Sequence, residues 1–131
     1  MPKLMVVDDD RSTVSLLTLL LQLEGYQVVA AEARTAAFDA IRAERPDMVL
    51  LDFFLSDGEG LEVLLRLRAD PELAETRVIM LSGMELSEKC YAAGADGFLL
   101  KPYTPDQLIA LIREKLGPDA PAGKTPAGRS P

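Results

Sequence analysis

The 131-residue sequence contains no histidine, and Cys90 is its single cysteine. Without histidine, imidazole base catalysis, imidazole metal ligation and a phosphohistidine carrier role are excluded within this chain. A lone thiol builds neither a disulfide framework nor a thiolate metal site. Positive charge is scarce: 14 Lys and Arg stand against 21 Asp and Glu, for a net charge of −7. Gripping nucleic acid takes a basic footprint, so no direct nucleic-acid contact is expected, and a DNA-related role would have to come through another domain or partner. Long apolar runs are missing as well. None approaches the roughly 20 residues needed to cross a bilayer, and no signal-peptide pattern is found. The expectation is a cytoplasmic protein with no membrane contact.

What is present is globular: 48% apolar and 27% charged residues. A chain of this length suits one domain that buries roughly two-thirds of its unfolded surface. Short apolar runs at Lys3–Val7, Tyr26–Ala31, Asp47–Leu51, Arg77–Leu81 and Gly97–Leu100 read as strands. Between them, helices are predicted over Ser12–Glu24, Thr35–Glu44, Leu61–Arg68 and Leu86–Ala93. The leucines of Leu16–Leu23 are expected to be mostly core. They exceed one narrow stripe, which leaves a partner-facing surface open. The last helix is the best marked, with Thr104 as N-cap, Pro105 in the first turn, Gln107 at capping-box spacing and Gly117 as the stop. After it, residues 117–131 hold four Pro, three Gly and three Ala with no large apolar side chain. Residues 1–117 are therefore read as the domain and 118–131 as a flexible tail or linker.

Five strands alternating with five helices argue for an α/β, doubly wound parallel sheet covered on both faces. In such folds ligands sit beyond the carboxyl ends of the strands. Here those ends carry Asp8, Asp9 and Asp10, then Asp52, Ser82, and Lys101 with Pro102. Clustered carboxylates repel unless a cation neutralises them. Hard oxygen ligands with no imidazole or thiolate suit Mg²⁺. A nucleophilic oxygen, a metal, a hydroxyl and an ammonium are together the parts that phosphoryl transfer uses.

In order and spacing, these segments resemble the receiver domain of two-component response regulators over nearly all of residues 3–116. The likeness rests on Val6-Val7-Asp8-Asp9-Asp10, Leu50-Leu51-Asp52 with Gly58 and Gly60, Met80-Leu81-Ser82-Gly83, Gly94-Ala95-Asp96-Gly97-Phe98, and Lys101-Pro102. It implies a flavodoxin-like (βα)5 fold and a signalling domain with no substrate turnover of its own. A phosphoryl group would pass in a Mg²⁺-dependent reaction from a sensor histidine kinase or phosphotransfer protein to Asp52. The phosphorylated domain would then change its affinity for an output partner. The resemblance further implies that Asp9 ligates the metal directly, with Asp8 acting through water, and that Asp52 and the carbonyl of Phe54 complete the site. Ser82 becomes the switch hydroxyl, Phe98 the switch aromatic, Lys101 the phosphoryl-pairing ammonium, and Lys101–Pro102 a cis peptide.

Two departures stand out. Ser56 occupies a position where the family often has proline, a change expected to alter a loop without touching the chemistry. The interval from Ser82 to Lys101 is roughly one helical turn short, and the shortage falls in the fourth helix. The family's dimer is therefore not carried over, and the oligomeric state stays open. Plainer readings fit single residues: Asp8–Asp10 as a solvated run at a helix start, Asp52 as a turn former, Ser82 as a cap, Phe98 as core. Two other functions fit parts of the pattern. One is a receiver-like interaction module that works without phosphorylation. The other is a phosphatase of the haloacid dehalogenase type, which needs a further acidic pair and a cap that this chain lacks.

Overall fold

The computed structural model describes residues 1–117; the expected tail, 118–131, lies outside the described residues. Along the chain run β1 (Lys3–Val7), α1 (Arg11–Leu23), β2 (Gln27–Ala31), α2 (Arg34–Glu44), β3 (Met48–Asp52), β4 (Phe54–Leu55) and β5 (Gly58–Glu59). They are followed by α3 (Leu61–Ala69), β6 (Arg77–Ser82), α4 (Ser87–Ala92), β7 (Gly97–Leu100) and α5 (Pro105–Leu116). Five strands form one parallel sheet in the order β2-β1-β3-β6-β7. The sequence-based expectation of an open doubly wound sheet is met. A two-stranded antiparallel pair, β4 with β5, was not foreseen. At two residues each, its strands are too short for an apolar period to register.

The central strand β3 is buried along its whole length, as a strand covered on both faces must be. Alternate side chains then feed two cores. Met5, Val7, Val49, Leu51, Val78 and Met80 meet residues of α2, α3 and α4, including Phe38, Ile41, Leu64, Leu67 and Cys90. Leu4, Val6, Leu50, Ile79 and Leu81 meet Leu17 and Leu21 of α1 and Leu108, Ile112 and Leu116 of α5. The leucine run of α1 is less buried than expected. Leu17 and Leu21 are core, whereas Leu16, Leu19 and Leu23 are 58%, 56% and 74% exposed. A helix lying on a sheet buries one stripe, and these three residues lie off it.

Helix ends follow local chemistry in two cases and distant chemistry in a third. Asp10 caps α1 by accepting from the Ser12 N–H at 3.0 Å and the Thr13 hydroxyl at 3.1 Å. Thr104 and Gln107 form the reciprocal capping box of α5. By contrast, α2 starts at Ala33, which caps nothing with its own side chain. Asp57 supplies the cap from the β4–β5 tip, taking the N–H groups of Arg34 and Thr35 at 2.9 and 3.0 Å. This is why α2 starts one residue before the sequence-based boundary.

A single guanidinium ties the α4 side together. Arg68 donates to the carbonyls of Gly94, Ala74 and Thr76 and to the Asp96 carboxylate, at 2.6–3.0 Å. The same carboxylate accepts from the Val78 N–H at 2.8 Å. The helix it braces, α4, is only six residues long, in keeping with the short interval read from the sequence.

Candidate functional site

β1, β3, β6 and β7 end at one edge of the sheet, beside the point where the order of strands reverses around β1. Asp8 follows β1, Asp52 closes β3, Ser82 closes β6, and Lys101 follows β7. Their placement is a consequence of register: Asp52 pairs with Leu81, and Ser82 pairs with Leu100. One ligand atom each from Asp8, Asp9 and Asp52 lies within 4.8 Å of the others. Lys101 Nζ donates to Asp52 Oδ1 at 3.0 Å, and only 9% of the Asp52 side chain is exposed. The Lys101–Pro102 peptide is cis.

Glycine permits one close approach here. Gly60 N–H donates to the Phe53 carbonyl at 2.7 Å, and a Cβ at position 60 would overlap the Asp52 carbonyl oxygen. The turn after the carboxylate thus folds back tightly beneath it.

The electrostatics describe a pocket short of positive charge. Burial pushes the Asp52 carboxyl above its ordinary value; the Lys101 hydrogen bond opposes that shift, and the charge of Asp8 adds to it. Burial likewise raises Asp8, against the Asp10 N–H that donates to its Oδ1 at 2.9 Å. Asp9, at the rim, moves the other way, because hydrogen bonding from Ser56 stabilises its ionised form. Three carboxylates facing one ammonium fit a further cation, and the all-oxygen donor set suits a hard divalent ion.

The remaining named residues divide. Ser82 is fully buried, yet its hydroxyl is turned to the backbone, donating to the Met84 carbonyl at 2.9 Å and accepting from the Met84 N–H at 3.0 Å. It does not cap the following helix, which begins after Leu86. Phe98 is half-buried against the core on the α2–α4 side. Phe54 is 45% exposed, its ring 4.8 Å from that of the buried Phe53. Asp10 is a helix cap, so the plainer reading holds for the third acid of the run.

Sequence reasoning missed two residues. The Ser56 N–H donates to Asp9 Oδ2 at 2.6 Å, so the loop that carries this departure touches one of the three clustered carboxylates. Proline, lacking an N–H, could not make that bond; the departure at position 56 was the signal. Tyr103 is the other. Its hydroxyl is pushed up by burial and then by the charges of Asp8 and Asp52, and nothing beyond its place after Lys101–Pro102 pointed to it.

Residues 4–113 match the response regulator receiver domain. The chain belongs to that family. It is 36% identical over 121 residues to the "DNA-binding response regulator MtrA" of Mycobacterium tuberculosis strain H37Rv, covering 87% of this chain and 50% of that protein. It is 35% identical over 130 residues to the "Response regulator MprA" of Mycobacterium sp. strain KMS, covering 92% and 56%. The chain therefore spans about half the length of these curated relatives. Among solved structures, a putative response regulator from Chloroflexus aurantiacus superposes with a TM-score of 0.82 at 29% identity, covering 88% of this chain and 97% of that one. A CheY-like receiver domain protein from Methanospirillum hungatei gives 0.81 at 31%, covering 88% and 94%. As a receiver domain, the chain is a phosphoacceptor of two-component signalling, and neither the phosphatase nor the phosphorylation-independent reading gains support. DNA binding is named for the mycobacterial relative, so the expectation of no nucleic-acid contact is not confirmed. No helix among the described residues is long and apolar enough to cross a membrane.

Proposed function

We propose that Asp52 is the phosphoacceptor of this receiver and that Mg²⁺ is held by Asp8, Asp9, Asp52 and the carbonyl of Phe54. The observation that carries this reading is the Lys101–Asp52 pair at 3.0 Å beside two further carboxylates at the strand ends. An Asp52 carboxylate oxygen attacks phosphorus of a kinase phosphohistidine, or of a small donor such as acetyl phosphate. The new P–O bond forms as the bond from phosphorus to the donor breaks, and the donor leaves with its electron pair. Mg²⁺ supplies charge neutralisation for the phosphoryl oxygens. Lys101 shifts its hydrogen bond from the carboxylate to a phosphoryl oxygen. Ser82 gives up its bonds to Met84 and donates to another, and Phe98 moves into the space released.

The same reading gives the protein a cytoplasmic setting, a sensor histidine kinase or phosphotransfer protein as phosphodonor, and a separate output partner. With a net charge of −7, the receiver itself is assigned no direct contact with nucleic acid. Intact mass after incubation with acetyl phosphate and Mg²⁺ tests the acceptor. A single phosphoryl adduct is expected on the wild type and none on Asp52→Asn. An adduct that persists in the variant would move the acceptor elsewhere.

A further inference from the structure

Ser56 and Asp57 form the two-residue tip of the β4–β5 hairpin, between the paired residues Leu55 and Gly58. Each engages a different part of the fold. The Asp57 carboxylate holds the N-terminus of α2, and its carbonyl accepts from Arg34 Nε at 3.0 Å. The Ser56 N–H reaches across 47 positions of sequence to Asp9 Oδ2 at 2.6 Å. The tip is therefore anchored on one side and grips a carboxylate on the other. Gly58 closes the hairpin at φ 143°, in a space that the Arg34 side chain fills.

We propose that the main-chain N–H of Ser56 is a positioning donor for Asp9, fixing one carboxylate oxygen so that the other faces a divalent cation shared with Asp8 and Asp52. This deepens the proposed function and rests on its metal site. Asp9 needs such help most, because it is the most solvent-open of the three carboxylates and the least constrained by packing. A carboxylate offers about four acceptor positions, so a bond at Oδ2 leaves Oδ1 free to ligate. Ligating carboxylates are commonly oriented by outer hydrogen bonds, whose loss costs about 10–100-fold in metal affinity. A main-chain donor also has no side-chain rotamers to freeze, provided that its hairpin is anchored, as Asp57 anchors this one.

The substitution that isolates the N–H is Ser56→Pro. Among described non-glycine residues only Arg45 has positive φ, so Ser56 lies on the side of φ that proline allows, at the first tip position that proline favours. Ser56→Ala keeps the N–H and removes the hydroxyl. The full chain, stripped of metal, is titrated with MgCl2 by calorimetry in all three forms. Thermal melts and circular dichroism establish that each is folded. Ser56→Ala is expected to stay within about threefold of the wild type and Ser56→Pro to bind about tenfold more weakly or worse. In parallel, the Ser56 amide proton of the wild type is expected to exchange slowly with solvent, whether or not Mg²⁺ is added. Equal affinity in folded Ser56→Pro overturns the proposal, as does free-rate exchange of that amide. Equal weakening in both variants also overturns it, by assigning the effect to the hydroxyl. A wild type that binds no Mg²⁺ at millimolar concentration defeats the metal site itself, a result separate from either of these.

Discussion

Asp52→Asn should make the metal-free protein more stable. At an effective dielectric of about 20, two unit charges no more than 4.8 Å apart repel by at least about 3.5 kcal/mol, a lower bound on the Asp8–Asp52 penalty. At 3.0 Å the Lys101 ammonium attracts by about 5.5 kcal/mol on the same scale. A third of the lysine side chain is in water, however, and solvent screening cuts that attraction towards the size of the repulsion. With the two in near balance, what remains is the burial of a carboxylate with 9% of its surface exposed. Such burial costs several kcal/mol before compensation. An amide of the same shape should recover about 1–2 kcal/mol of this, or about 4–8 °C in Tm for a domain of this size. The assay is a thermal melt in EDTA, repeated with Mg²⁺. A bound ion stabilises the folded state by mass action, so the wild type should gain on adding Mg²⁺ and the gap should narrow. The effect also has a definite pH sign. Because burial raises the folded-state value of Asp52 above 3.8, its ionisation penalty is absent below pH 3.8, develops between 3.8 and the raised value, and is complete above it. The variant's advantage should therefore vanish in acid and grow towards neutrality. A variant that melts at or below the wild type in EDTA at pH 7 would refute the reasoning.

Three further outcomes follow from the same geometry. Lys101→Met should act in the opposite sense in EDTA, lowering stability by about 1–3 kcal/mol in urea titrations by leaving Asp52 without its cation; unchanged stability would mean the pair is idle. Gly60→Ala forces a Cβ onto the Asp52 carbonyl and should cost about 2–3 kcal/mol in the same assay, and a neutral result would contradict the tight turn. On α1, Leu21→Ala should cost about 2–5 kcal/mol and Leu19→Ala within about 0.5, since the first is fully buried and the second 56% exposed; equal losses would put the helix in the wrong rotation.

Much of this was legible because the relevant signals are local. Each long strand declares itself by an apolar run, and each candidate acid, hydroxyl or amine stands just where such a run stops. The α5 capping box is a four-residue pattern, and it appears as read. Two of the failures share a cause, which is distance along the chain. Ala33 carries no cap of its own, so α2 seemed to start at Thr35 until Asp57 reached back 23 positions to Arg34. Ser56 meets Asp9 only after the sheet has aligned β1 with β3. The α1 leucines misled for another reason: composition counts apolar residues, whereas the rotation of a helix on a sheet decides which of them are covered.

The α4 segment bears a consequence for how motion is distributed. An isolated helix of six residues does not hold itself together in water. The order of α4 is therefore borrowed from the buried Cys90 and from the bracket that Arg68 builds at its far end. At its near end stands Ser82, whose two bonds to Met84 close the strand exit. Segments with so few anchors open far more often than the sheet beneath them. Under the proposed switch, moving the Ser82 hydrogen bonds away from Met84 would release the near end of this stretch, while the β6–β7 ladder that carries it stays paired.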